Sequence, residues 1–215
     1  MLQDRWEADI QTSSDATVIR ALAFAYAIVW IAAAIAPLDR GDWLLENLLI
    51  FAFVPTLALT YRRFAFSRTS YLLIFVFLVM HTYAAHYTYS ETPLGFWLQD
   101  VFDTSRNHFD RITHFGFGLL LACPLREIGV RVLGLRGGWS YTVAGLVMLG
   151  FAGGYEIVEF WAARVVDPEL GVAFLGTQGD EWDAQKDMRL ALAGTVISLA
   201  FSAAVGAARA RARAS

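Results

Sequence analysis

Long apolar runs alternate with short polar connections along this chain, and the runs have bilayer length. They fall near 18–37, 43–61, 70–89, 110–131, 140–163 and 187–208. About 17–25 apolar residues carry an α-helix across hydrocarbon. Backbone N–H and C=O groups find no partners among lipid tails, so runs of this length predict helices. The expected fold is all-α, a polytopic transmembrane bundle of six spans over residues 17–208. A cytoplasmic segment, 1–16, precedes it and a basic cytoplasmic tail, 209–215, follows. Pro37 closes the first span, while Pro55 and Pro124 inside spans predict kinks. Gly116, Gly118, Gly145, Gly150, Gly153 and Gly154 predict close helix–helix approach.

Composition strengthens this picture. Hydrophobic residues are 57% of the 215 and charged residues 17%, against about 45–50% and about 25% in soluble domains. The net charge of −3 and scattered basic residues exclude a nucleic-acid-binding face. Cys123 is the one cysteine, so neither an intrachain disulfide nor a cysteine-based zinc site is expected. The opening MLQDRWEADIQTSSD lacks the basic-then-apolar order of a signal peptide, so the first apolar run is expected to stay as a span.

Charge orients the bundle. Arg62, Arg63 and Arg68, then Arg126, Arg131 and Arg136, then Arg209, Arg211 and Arg213 occupy alternate connections. By the positive-inside rule these face the cytoplasm, and so do both termini. The same placement brings the four histidines toward the opposite surface: His81, His86, His108 and His114.

The acids gather there too. Asp110 and His114 are spaced i,i+4, Glu156 and Glu159 i,i+3, and Asp183 and Asp187 i,i+4, so each pair shares a helix face. A charge turned to lipid at mid-membrane costs about 2.5–3.5 kcal/mol, so the three faces are expected to meet inside the bundle. Taken singly, each has a plainer explanation. Asp110 suits a helix start, His86 an interfacial aromatic belt and Asp180 a solvated loop.

Four stretches carry a resemblance: HYTYSETPLGFWLQD (86–100), SRNHFDRITHFGFGLLLACPLRE (105–127), GGYEIVEFW (153–161) and FLGTQGDEWDAQKDM (174–188). Occurring in this order, they resemble the YjdF-like family of bacterial inner-membrane proteins, which implies a helical membrane fold and an inner-membrane location. The chain is more distantly similar to VanZ-like membrane proteins. Asp110 and His114 match their first element, Glu156 or Glu159 the second, and Asp183 and Asp187 the third. Arg189 to Leu192 replace the late Asn that such proteins carry before a glycine, here Gly194. That likeness implies work on cell-envelope lipids.

The leading expectation is an enzyme acting on a lipid headgroup or lipid-linked phosphate, with membrane lipid as its partner. His114 is the expected nucleophile or general base and Asp110 its orienting carboxylate. Glu159, Asp183 and Asp187 complete the catalytic set. Glu156, Glu159, Asp183 and Asp187 are the candidate ligands of a divalent metal. Arg111 and Arg106 are expected to bind phosphate, with His86, His108 and Asn107 beside them. No P-loop, HExxH, Gly-x-Ser-x-Gly or dinucleotide fingerprint occurs. The alternatives are a transporter or a lipid- or cation-binding membrane protein, and a structural subunit whose polar cluster pins helices together. Against transport stands the expectation that comparable polar residues are missing from the cytoplasmic ends of the helices.

Overall fold

A computed structural model describes residues 13–214. The expected cytoplasmic segment lies outside these residues up to position 12, as does Ser215 of the basic tail. Helices α1 (Ser13–Ala33), α2 (Arg40–Thr60) and α3 (Arg68–His86) lead to a short α4 (Pro93–Phe102). Then come α5 (Phe109–Arg131), α6 (Gly137–Val165), a short α7 (Pro168–Leu175) and α8 (Asp183–Ala214). No strand occurs among the described residues.

Five helices, α1, α2, α3, α6 and α8, are long and apolar enough to cross a membrane. The 23-residue α5 has the length, about 35 Å at 1.5 Å per residue. It lacks the apolarity, because Asp110, Arg111, His114, Arg126, Glu127 and Arg131 all lie on it. Phe24, Leu59, Trp139 and Phe201 are each at least 70% exposed, as suits side chains turned to lipid.

The long helix that falls short of the apolarity of a span is the most enclosed. α5 packs chiefly on α8 and also on α3 and α6. A Cβ on Gly118 would sit 1.9 Å from the Ala191 carbonyl oxygen, and one on Gly194 would sit 2.2 Å from that of Phe115. The two backbones therefore touch at a pair of glycines, the geometry small residues permit. Of the other glycines expected at contacts, Gly150 and Gly154 face open space and Gly145 is in ordinary contact. α1 lies at the edge, tied on by Tyr26 Oη to Thr82 Oγ1 at 3.0 Å and by Trp30 Nε1 donating to Asn47 Oδ1 at 2.6 Å.

The expectation of polarity at one end only is corrected. Glu127, near the Arg-rich end of α5, is fully buried. It accepts from Ser67 N at 2.8 Å and Arg131 Nη1 at 2.5 Å on one oxygen. Its other oxygen accepts from Ser67 Oγ at 2.9 Å and Ser70 Oγ at 2.5 Å. Sequence separation hid this: three of the four donors stand about sixty residues away, at the start of α3.

Candidate functional site

The glycine contact sets the site. His114 lies one helical turn before Gly118 on α5, and Asp187 lies two turns before Gly194 on α8. Backbone contact at the glycines brings both toward the same end of the bundle. His114 Nε2 is 3.5 Å from Asp110 Oδ1 and 3.7 Å from Glu156 Oε1 of α6. Ligand atoms of Asp110, His114 and Asp187 all lie within 4.8 Å of one another. Asp187 is 2% exposed, and its Oδ1, like Glu156 Oε1, has no hydrogen-bond partner. Glu159 is buried one turn further along α6.

A second layer comes from α2 and α3. Tyr155 Oη donates to Glu46 Oε2 at 2.9 Å. His81 Nε2 meets the Glu46 carbonyl oxygen at 3.2 Å, while its Nδ1 is hydrogen-bonded to Tyr89 Oη. Asp42, one turn before Glu46, is buried with both carboxylate oxygens unpartnered. Among the described residues, the ion pairs of these carboxylates are those of His114 with Asp110 and Glu156. Arginine and lysine take no part.

The arginines serve another cluster. Arg106 Nη1 is 2.5 Å from Asp183 Oδ1 and donates to the Thr177 carbonyl at 3.1 Å. Arg111 Nη2 pairs with Asp180 and lies 3.0 Å from Asp183 Oδ1. Lys186 Nζ reaches both oxygens of Asp180, at 2.8 and 2.5 Å. The Lys186 hydrogen bond is the chief reason the Asp180 carboxyl is held below the usual carboxylate range. Asn107 donates to the Thr92 carbonyl at 3.0 Å, and its backbone exchanges hydrogen bonds with the Gln178 side chain. Together these residues strap the 176–183 segment to the loop before α5. Arg106 and Arg111, expected to bind phosphate, have Nη groups engaged by Asp180 and Asp183 and Nε groups without a partner. Asp183 belongs with them, apart from the Asp110–His114–Asp187 group. His86 is elsewhere, its Nδ1 2.8 Å from the Ala33 carbonyl oxygen. His108 is the N-cap of α5 without a side-chain capping bond, its Nδ1 3.4 Å from Arg111 Nη1, and burial, then Arg111 and Arg106, lower its pKa.

The family model described as "Predicted membrane protein (DUF2238)" matches residues 18–208. The chain belongs to the DUF2238 family. It is 35% identical over 189 residues to the inner membrane protein YjdF of Escherichia coli (strain K12), covering 86% of this chain and 89% of that protein. Neither match is to a VanZ-like protein, and no solved structure matches. This DUF2238 member is a multi-pass protein of the inner membrane, as the YjdF-like resemblance implied.

Below the polar cluster of this family member lies a cavity of about 430 Å³, within the about 300–1,000 Å³ of small-molecule pockets. Leu49, Phe53, Phe77, Phe117, Met148 and Val158 are among its apolar lining, and His81, Tyr89, His114 and Tyr155 give it polar groups. α2 and α6 make little direct contact, and the Tyr155–Glu46 hydrogen bond bridges them. Tyr155 and Asp42 are additions to the residues expected from the sequence, although Asp42 and Glu46 repeat the i,i+4 spacing of Asp183 and Asp187. Tyr155 carries no such signal, since tyrosine at a membrane surface ordinarily belongs to the aromatic belt.

Proposed function

We propose that this protein is a membrane enzyme that holds a lipid by an acyl chain in the cavity and breaks or exchanges a phosphoester of its headgroup at the His114 cluster. One observation carries the reading: an imidazole flanked by Asp110, Glu156 and Asp187 stands at the polar margin of an otherwise apolar 430 Å³ cavity. A lipid has the same division of character. Entry from the bilayer would pass between α2 and α6, which make little direct contact beyond the Tyr155–Glu46 hydrogen bond.

On this reading α5 is a sixth span and both termini are cytoplasmic, because the Arg-rich connections all fall at the end opposite the site. The cluster then faces the extracytoplasmic leaflet. Labelling of a cysteine introduced at Ser90 by impermeant reagent in intact cells supports this orientation, and protection of that position overturns it. Ion transport fits less well. Glu127, the buried carboxylate at the far end, has both oxygens occupied, and the lining between is mainly aromatic and aliphatic.

Turnover is tested with the full chain in nanodiscs of phospholipid and lipid-linked phosphate, by measuring released headgroup or phosphate. His114→Gln is expected to lose on the order of 10²–10⁴-fold, the range for loss of a group engaged in proton transfer or charge stabilisation. Asp110→Asn should lose less, and the double variant little more than His114→Gln, as for residues acting as one unit. A folded His114→Gln protein with normal turnover ends the proposal.

A further inference from the structure

We infer that Asp110, His114 and Asp187 bind one divalent cation, with Glu156 as the adjoining carboxylate. This deepens the proposed function, on which it rests for the purpose of the ion, whereas binding itself is measured without turnover. It also replaces the ligand set expected from the sequence, since Asp183 is engaged by Arg106 and Arg111 and neither Glu156 nor Glu159 belongs to the converging trio.

Three observations converge on an ion. First, one imidazole nitrogen and two carboxylate oxygens from two helices lie within 4.8 Å of one another. Ligand bonds of about 2.0–2.2 Å place neighbouring ligand atoms about 3 Å apart, so ordinary side-chain rotation closes the set. Second, Asp187 is 98% buried, by its 2% exposure, yet Oδ1 has no partner. Buried carboxylate oxygens are normally satisfied, and an orphan calls for an unseen water or ion. Third, Asp42, Glu46, Asp110, Glu156, Glu159 and Asp187 share this end with His114, and among the described residues no lysine or arginine forms an ion pair with any of them. Burying carboxylates together without compensating charge is costly, and a divalent cation compensates at one point.

The donor set narrows the class. One nitrogen among oxygens, with no thiolate, suits a divalent ion such as manganese or zinc over Cu(I) or iron–sulfur chemistry. The backbone contact of Gly118 with α8 holds the Asp110–His114 face of α5 against Asp187, so the ligands are presented by rigid helices. With the ion bound, His114 is its imidazole ligand. Glu156, 3.7 Å from that ring, is the free carboxylate beside it.

Mn²⁺ is the probe. Titration of the full chain in nanodiscs, followed by electron paramagnetic resonance, should give one bound Mn²⁺ per chain. Pulsed measurements should show coupling to a single imidazole nitrogen. His114→Gln should abolish that coupling, and Asp187→Asn should weaken binding by roughly tenfold or more, at or beyond the loss seen for residues that merely support a ligand. Glu169→Gln, at an exposed position on α7, should bind as the parent does. Thermal unfolding of each variant establishes that it is folded, and the near-isosteric Asp187→Asn serves if His114→Gln is not. A folded parent that binds no Mn²⁺, shows no nitrogen coupling, or binds undiminished in Asp187→Asn overturns the inference. Lipid turnover that survives chelation overturns it while sparing the proposed function. Mn²⁺ binding without turnover does the reverse.

Discussion

Helix α5 carries a buried carboxylate group at each end, and the two ends are opposites. Glu127 has four donors for its two oxygens, including a backbone N–H, two hydroxyls and the Arg131 guanidinium. At the other end Asp110 and His114 face Glu156 and Asp187, with oxygens left over and one imidazole among the acids. The same helix thus holds a saturated clamp and an unsatisfied cluster. Burial alone does not mark a site; the difference lies in whether the polar atoms are already engaged. Folding accounts for the first arrangement, and the second is the one at which the proposed ion would sit.

The contrast breaks most visibly at Glu127. Removing one partner of a buried charged pair costs about 3–5 kcal/mol, and Arg131 is partly exposed, which points to the lower figure. Glu127→Gln should therefore lower the thermal midpoint strongly in detergent while the cluster at the far end keeps its Mn²⁺ affinity. Equal stability of parent and variant would show that the clamp is decorative. Next in size, Gly118→Val should cost about 1–3 kcal/mol as an overpacked contact, and more if the backbone cannot yield. Its Cβ would meet main-chain atoms of Ala191 and Thr195 rather than a movable side chain. Unlike Glu127→Gln, it should also impair metal binding, because it moves α8.

Glu156→Gln sharpens the comparison from the other side. Removing a charge from an acid-rich cluster should leave stability unchanged or raise it by about 0.5–2 kcal/mol while activity falls, the trade expected where function keeps a strained arrangement. A large loss of stability would make Glu156 a structural residue. The smallest effect concerns acid. With the Asp180 carboxyl held low by Lys186, the strap over 176–183 should persist at ordinary pH. A depressed pKa contributes stability above the unfolded value, and that contribution fades as pH falls through and below the usual carboxylate range. Hydrogen exchange of 176–183 followed from about pH 5 down to about pH 1 checks this, and in Asp180→Asn the step should vanish.

The long helices were legible because lipid demands them run by run. The pairing of His114 with Asp110 was legible because it is local, four residues on one helix. Chain alternation puts Asp187 at the same end of the bundle as His114, and the two lie together there. Long-range pairing was not legible: Arg106 and Asp183 stand 77 residues apart, and a guanidinium free to bind phosphate looks the same in sequence as one already engaged. Glu127 carries no local signal between Arg126 and Arg131, because Ser67 and Ser70, which engage it, stand about sixty residues away. The polarity that removes α5 from the most apolar spans is the polarity that builds both its clamp and its cluster.

The meeting of Gly118 and Gly194 has a consequence for how finely the cluster is tuned. Two helices that touch through bare main chain have no side-chain cushion between them, so their relative rotation has little play. A slip of one residue along α8 would carry Asp187 about 1.5 Å along the axis and about 100° around it, out of reach of His114. The alignment of the acidic cluster is therefore inherited from a contact that lies outside it. Variation in the acids would change the charge of the cluster, while variation at either glycine would blur its geometry.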